Sequence, residues 1–230
     1  MDACWGTGCA GAQQRQRARF RKMERMPEPK KPPRLRCEHC QRPVSHCLCT
    51  YISQIPNRTR VLVLQHPDEA RHPLNTARLA VSGLANAQML VGERFPQLDG
   101  IIASAGRALL LFPSKEECPL QMAATSDEAE PSLLIVPDGT WRKARKIISE
   151  NPVLGTLPRF CLPPGEPSEY RIRKTREPGA VSTIEAIARS LSILEPAQSF
   201  ERLLTPFKAL IEQQVQAMGE DVYRRNYQNR

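Results

Sequence analysis

The stretch Leu133-Leu134-Ile135-Val136-Pro137-Asp138-Gly139-Thr140-Trp141-Arg142-Lys143-Ala144-Arg145-Lys146 decides how the rest of the chain is read. Its opening apolar run has no polar interruption, which suits a strand buried on both faces in a parallel sheet. The run ends in a carboxylate, a turn glycine, a hydroxyl and an indole, and a basic, helix-like segment follows. Open α/β sheets hold their ligands outside such carboxyl ends of strands. The stretch therefore predicts a fold class and, within it, the place where a site should lie.

Neighbouring segments have the same character. Arg60-Val61-Leu62-Val63-Leu64-Gln65 reads as a buried strand stopped at His66-Pro67, and Ala108-Leu109-Leu110-Leu111-Phe112 as another, closed by Pro113-Ser114. Gln88-Met89-Leu90-Val91, Gly100-Ile101-Ile102-Ala103 and Arg159-Phe160-Cys161-Leu162 read as shorter strands or strand edges. Helices are expected over 75–87, 140–149, 182–194 and 200–218. Asn75 or Thr76 would cap the first, and Ser182 or Thr183 the third, with Glu185 in its first turn. Strands alternating with helices give an α/β class: a mainly parallel sheet with flanking helices.

Length and composition bound the alternatives. A chain of 230 residues suits one compact domain with appendages. The net charge is +9, but residues 1–36 carry ten Lys/Arg against three Asp/Glu, so the folded remainder is close to neutral. Residues 1–34, ending in Pro27-Glu28-Pro29-Lys30-Lys31-Pro32-Pro33, read as a disordered basic tail. Segment 115–131, acidic after Lys115, reads as a variable loop. No apolar run is long enough to span a bilayer, and the N-terminus lacks the apolar core of a signal peptide. A reducing compartment, the cytoplasm, is the expected setting for the eight cysteines.

Four of those cysteines fall close together as Cys37-Glu38-His39-Cys40 and Cys47-Leu48-Cys49. Two tight thiolate pairs joined by a short turn suit tetrahedral zinc, and full cysteine coordination would make that zinc structural. His39 and His46 are spare ligand candidates; reduced structural cysteines or a redox pair are the competing reading. The chain then divides into the tail 1–34, a zinc-binding Cys module 35–56 and an α/β domain 57–230.

Three strand-end segments carry chemistry-bearing side chains. Gln65 to Thr76 is an unusually polar entry into a helix, with Arg71 and His72 as candidates to face a ligand, although capping and solvation suffice to explain it. In the second, Arg142, Lys143, Arg145 and Lys146 follow Trp141 and cannot all pack inward, so part of them forms an exposed cationic face. The third runs from Ser168 through Tyr170, Arg171 and Arg173 to the hydroxyl-rich helix start at Ser182 and Thr183. Such a start suits a carboxylate or phosphate, whereas Glu169 and Glu177 favour an ion-paired edge strand.

Taken in order, these segments resemble the DTW-domain family: the Cys cluster at 37–49, His66 to Thr76, Phe112-Pro113-Ser114, Asp138-Gly139-Thr140-Trp141, Tyr170 to Lys174 and Ser182 to Ala186. The resemblance covers about residues 35–195. His66-Pro67-Asp68-Glu69 departs from it, spacing its acids differently from the tightest form of the motif. The resemblance implies a fold like the knotted SPOUT methyltransferases. It also implies a tRNA-uridine aminocarboxypropyltransferase that takes S-adenosylmethionine as donor, modifies N3 of a tRNA uridine and releases 5′-methylthioadenosine. Under it, Asp138, Thr140 and Trp141 are the expected catalytic residues. Asp138 would be the general base for the uracil ring proton, and Trp141 would stack on the base or wall the donor pocket. Phe112, Pro113, Ser114, Pro137, Gly139, Arg173, Ser182, Thr183 and Glu185 would bind the donor, and Cys37, Cys40, Cys47 and Cys49 a structural zinc. Methyl transfer on the same fold, or a non-catalytic zinc-ribbon RNA binder, stand as alternatives. Monomer and homodimer are both open.

Overall fold

A computed structural model describes residues 35–113, 132–170 and 179–228. The expected tail 1–34, the loop 115–131, Ser114 and the basic segment containing Arg171 and Arg173 lie outside the described residues.

Five strands form one sheet: β1 (Arg60–Gln65), β2 (Ala87–Val91), β3 (Arg107–Leu111), β4 (Ser132–Asp138) and β5 (Arg159–Phe160). Their order is β2-β1-β4-β3-β5 and every pairing is parallel. Seven α-helices are described: α1 (Pro67–Ala70), α2 (Thr76–Ser82), α3 (Leu98–Ala103), α4 (Trp141–Glu150), α5 (Thr183–Leu194), α6 (Thr205–Met218) and α7 (Glu220–Tyr223).

Successive strand side chains point to opposite faces, and the packing follows that alternation. Val61, Val63, Leu109, Leu134 and Val136 join one core with residues of α2, α5 and α6. Leu62, Leu64, Leu110, Leu133 and Ile135 join a second core with Phe95, Leu98, Ile147 and Leu154. The central strands are thus covered on both sides, which is why they read as unbroken apolar runs. Each such side chain contributes about 1.5–3 kcal/mol on burial.

Three expectations change. Gly100 to Ala103 is not a strand edge but the end of helix α3. Leu98, Ile101 and Ile102, spaced i, i+3, i+4, pack on the second core while Asp99 and Gly100 stay exposed. The helix expected over 75–87 is shorter and stops at Gly83, where a Cβ would come within 2.7 Å of Leu203 Cδ1. The final helix begins with a 3₁₀ turn at Glu201–Leu204 before α6, with Pro206 in its first turn.

The described residues from Arg36 onward belong to one compact unit. Leu48, between Cys47 and Cys49, is fully buried in the first core. Arg42 donates to His46 O, Pro73 O and Gln213 Oε1, which ties the Cys segment both to the approach to α2 and to α6.

Candidate active site at the carboxyl ends of the strands

The segments that follow β3, β4 and β5 and the start of α5 enclose a pocket of about 500 Å³, within the range usual for small-molecule sites. Phe112 and Pro113 come from the first segment, Pro137, Gly139, Thr140 and Trp141 from the second, Cys161 and Leu162 from the third. Gly179, Ala180, Val181 and Thr183 close it. Of the sequence-predicted donor and catalytic residues that are described, seven line this pocket: Phe112, Pro113, Pro137, Gly139, Thr140, Trp141 and Thr183. Asp138, Ser182 and Glu185 do not, and Ser114 and Arg173 lie outside the described residues.

Asp138 is only 8% exposed. It accepts hydrogen bonds from Gln65 Nε2 on Oδ2 (2.8 Å) and from Thr183 Oγ1 on Oδ1, so it meets the pocket through the Thr183 hydroxyl. The direction of each bond can be traced back to the backbone. Asn75, the N-cap of α2, accepts from Arg78 N with Oδ1 and donates to Glu69 O with Nδ2, which fixes its amide. Facing that amide, Gln65 accepts with Oε1 and donates with Nε2. The second Nε2 hydrogen is left for Asp138.

Gln65 opens the first polar strand-end segment, but nothing in the sequence assigns it a partner. It is the last residue of β1, fully buried, and the parallel register places it directly opposite Asp138. A polar residue at the carboxyl end of each of two buried strands was the available signal; only the pairing of β1 with β4 makes it a contact.

Gly139 turns the chain from β4 into α4 at φ +152°, and a Cβ there would lie 3.0 Å from Lys143 Cβ. A side chain there would be strained by conformation and would crowd Lys143. Thr140 is the N-cap of α4, accepting from Lys143 N. Trp141, 41% exposed at the first helical position, packs edge-to-face on Phe112 with centroids 5.5 Å apart. Its indole is thus held in place at the pocket and still accessible.

The four basic residues of α4 divide into two kinds. Lys143 reaches Glu69 (2.8 Å) and Asp68 (3.3 Å), and these carboxylates raise its pKa. Lys146 pairs with Glu93 (2.7 Å) and is the main cause of that carboxyl's lowered pKa. His66 joins the cluster, accepting from Asp68 N on Nδ1 and meeting Glu93 with Nε2 at 2.9 Å, an arrangement that fixes its tautomer. Arg142 and Arg145 are exposed and have no ion-pair or hydrogen-bond partner among the described residues. The cationic face predicted from sequence is therefore carried by the two arginines, one turn apart.

Ser182 and Glu185 form a capping box at the start of α5. The Glu185 carboxylate, in a residue 2% exposed, also accepts from Ser168 Oγ and Glu169 N. It fastens the segment before Tyr170 to the helix start that lines the pocket.

In the Cys segment, the sulfur atoms of Cys37, Cys40, Cys47 and Cys49 lie within 4.8 Å of one another. The Cys37–Cys49 and Cys40–Cys47 pairs are 3.5 and 3.8 Å apart. Zinc–sulfur bonds of about 2.3 Å in a tetrahedron require sulfurs about 3.8 Å apart, so the four thiols fit a zinc ion. Neither His39 nor His46 belongs to the cluster. Backbone amides of Cys40 and His39 draw the Cys37 thiol down to about 6, whereas burial pushes Cys49 up to about 12.

Fold and site together define a parallel α/β protein with a strand-end ligand pocket and a metal-type four-cysteine cluster. Residues 34–215 match the model of the DTW domain, and the chain belongs to the DTW-domain family. It is 34% identical over 193 residues to tRNA-uridine aminocarboxypropyltransferase 2 of Drosophila melanogaster, covering 79% of this chain and 76% of the relative. Against tRNA-uridine aminocarboxypropyltransferase A of Arabidopsis thaliana the identity is 31%, with 73% of this chain and 76% of the relative covered. A relative from Macaca fascicularis, also named tRNA-uridine aminocarboxypropyltransferase 2, is 32% identical; the match spans 78% of this chain and 63% of that protein. No solved structure matches the chain.

Proposed function

We propose that this protein is a tRNA-uridine aminocarboxypropyltransferase. In this reading it moves the 3-amino-3-carboxypropyl group of S-adenosylmethionine to N3 of a tRNA uridine and releases 5′-methylthioadenosine. The observation that carries the reading is the convergence of the family's motif residues on one strand-end pocket, in a chain whose relatives bear that name.

The sulfonium activates three carbons, so the protein must present the aminocarboxypropyl carbon, and not the methyl, to the nucleophile; the task is one of positioning. Phe112, Pro113, Pro137 and Gly139 are assigned to the donor walls, with Thr140 and Trp141 beside the target base. Ser114 and Arg173 are carried over as donor-binding residues from the motifs alone. Ser182 and Glu185 act on the pocket by fixing the start of α5.

A SPOUT-like threading belongs to the same proposal. After β4 the chain goes to β5, beyond β3, then returns to the end of β4, where Thr183 meets Asp138. The four cysteines would hold a structural zinc, in a cytoplasmic, reducing setting that keeps them free to bind it.

Product analysis tests the reaction. The zinc-loaded protein, incubated with unmodified tRNA and S-adenosylmethionine, should yield methylthioadenosine and aminocarboxypropyluridine in equal amounts by mass spectrometry. S-adenosylhomocysteine with a methylated nucleoside would instead make it a methyltransferase.

The division of the α4 cations gives a second test, on tRNA binding. Phosphate contacts set the dependence of affinity on salt. Arg142→Ala and Arg145→Ala should each lower the slope of log K against log salt by about 1, whereas Lys146→Ala should leave it unchanged because Glu93 already neutralises that ammonium. Equal slopes in all three variants would remove the arginine face from the tRNA interface.

A further inference from the structure

We infer that Thr183 is a catalytic proton carrier, and that Gln65 and Asn75 are positioning residues that hold Asp138 ready to receive its proton. The inference rests on the aminocarboxypropyl-transfer reading and assigns chemistry within it.

Among the described residues, Asp138 is the one carboxylate at the carboxyl end of the central strands that is directly hydrogen-bonded to a pocket-lining side chain. Oδ2 is engaged by Gln65, whose orientation is dictated through Asn75 by two backbone groups, Arg78 N–H and Glu69 C=O. Oδ1 therefore faces the Thr183 hydroxyl, and that hydroxyl gives its hydrogen to Asp138. A threonine oxygen whose only hydrogen is committed in this way offers lone pairs, and nothing else, to a ligand. In the pocket it can accept from an N–H group. The nucleophile of the proposed reaction carries one, the ring N3–H of uracil, and this proton must leave.

Uracil N3 forms a bond to the terminal carbon of the aminocarboxypropyl group while that carbon's bond to sulfur breaks, its electron pair staying on sulfur as the neutral thioether of methylthioadenosine. The N3 proton passes to Thr183 Oγ1, and the hydrogen already on Oγ1 passes to Asp138 Oδ1. After product leaves, the carboxyl proton returns to solvent by the reverse path. Asp138 thus acts as general base without touching the substrate, consistent with its absence from the pocket lining.

The arrangement also explains the pairing of the Gln65 and Asn75 amides. An Asn at position 138 would turn its NH₂ either toward Gln65 Nε2, donor against donor, or toward Thr183, reversing the hydroxyl. Gln65 cannot rotate to compensate, because Asn75 is held by the cap of α2.

The test compares Thr183→Val and Thr183→Ser with the native protein. Single-turnover rates are measured at saturating S-adenosylmethionine across pH 6–9, and donor affinity by calorimetry. General-base assistance contributes about 10²- to 10⁴-fold. Thr183→Val should therefore lose at least about a hundredfold in rate, keep donor affinity within about threefold, and show a residual rate that climbs with pH as uracil ionises unaided. Thr183→Ser should keep most of the native rate. A Thr183→Val protein that turns over at the native rate, or loses donor affinity while its saturated rate holds, would overturn the relay. If the native protein yields S-adenosylhomocysteine, it is the aminocarboxypropyl reading that falls. If it yields methylthioadenosine and the valine variant is fully active, only the relay falls.

Discussion

Removing the zinc proposed at Cys37, Cys40, Cys47 and Cys49 should lower the melting temperature by about 8–20 °C and free the segment that carries them. Zinc binding to such sites amounts to about 10–16 kcal/mol in isolated peptides, where it is folding energy outright. Here most of the structure should persist without metal, because neither core of the sheet contains a cysteine of the cluster. A loss of about 4–5 kcal/mol, converted at roughly 2–4 °C per kcal/mol for a domain of this size, gives the stated shift. What is lost is specific: Leu48 would leave the first core, and Arg42 its three acceptors at His46, Pro73 and Gln213. Pro73 leads directly to Asn75, so the effect should reach the Gln65–Asp138 pair. Calorimetry with and without a chelator, and hydrogen exchange over 36–52, measure both parts. An unchanged melting temperature after verified metal removal would mean that the cluster is not a structural site.

The second large effect is expected at Glu185, where the isosteric Gln should destabilise almost as much as Ala. The reason is the placement of two backbone donors. Ser182 N donates to Oε2 at 2.7 Å and Glu169 N to Oε1 at 2.8 Å. A glutamine must set its NH₂ against one of these N–H groups, whichever way it turns. The site is buried, so an unsatisfied donor costs about 1–3 kcal/mol, and the lost charge-assisted bonds add to this. Glu185→Gln should cost about 3 kcal/mol and Glu185→Ala about 4 kcal/mol, read by urea denaturation. Donor affinity should fall with them, since Ser168 and Glu169 are no longer fastened to the start of α5. A Gln variant as stable as the native protein would show that the carboxylate's charge is not required there.

These two sites mark how far sequence carries. The cysteine cluster was legible because its signal is local: both ligand pairs and the turn between them fall within thirteen residues, 37–49. The strand-end motif was legible for a similar reason. Asp138-Gly139-Thr140-Trp141 is continuous, its glycine and helix cap are local requirements, and the apolar run before it announces a buried strand. Glu185 was placed in the first turn of its helix from its spacing to Ser182, but expected at the donor. The structure turns its carboxylate to a capping box and to Ser168 and Glu169, partners that spacing alone does not select. The helix at Leu98–Ala103 was misread because four consecutive residues, three of them apolar, fit a strand edge as well as one helical turn.

The sequence by itself determined the alternation of strands and helices, the thiolate cluster, the caps at Asn75 and Ser182 as one of two candidates each, and the strand-end segment that lines the pocket. Each depends on interactions within a few residues or on the period of burial. Tertiary structure decided the strand order, the partnership of Gln65 with Asp138 across the β1–β4 register, and the link from Asp138 to Thr183, 45 residues later. It also decided that Glu69, Asp68 and Glu93 neutralise the two lysines of α4 and leave the two arginines exposed. These pairings join segments that no local preference brings together. They follow from burying both faces of one parallel sheet, which sets the strand ends side by side and leaves their polar groups to satisfy one another.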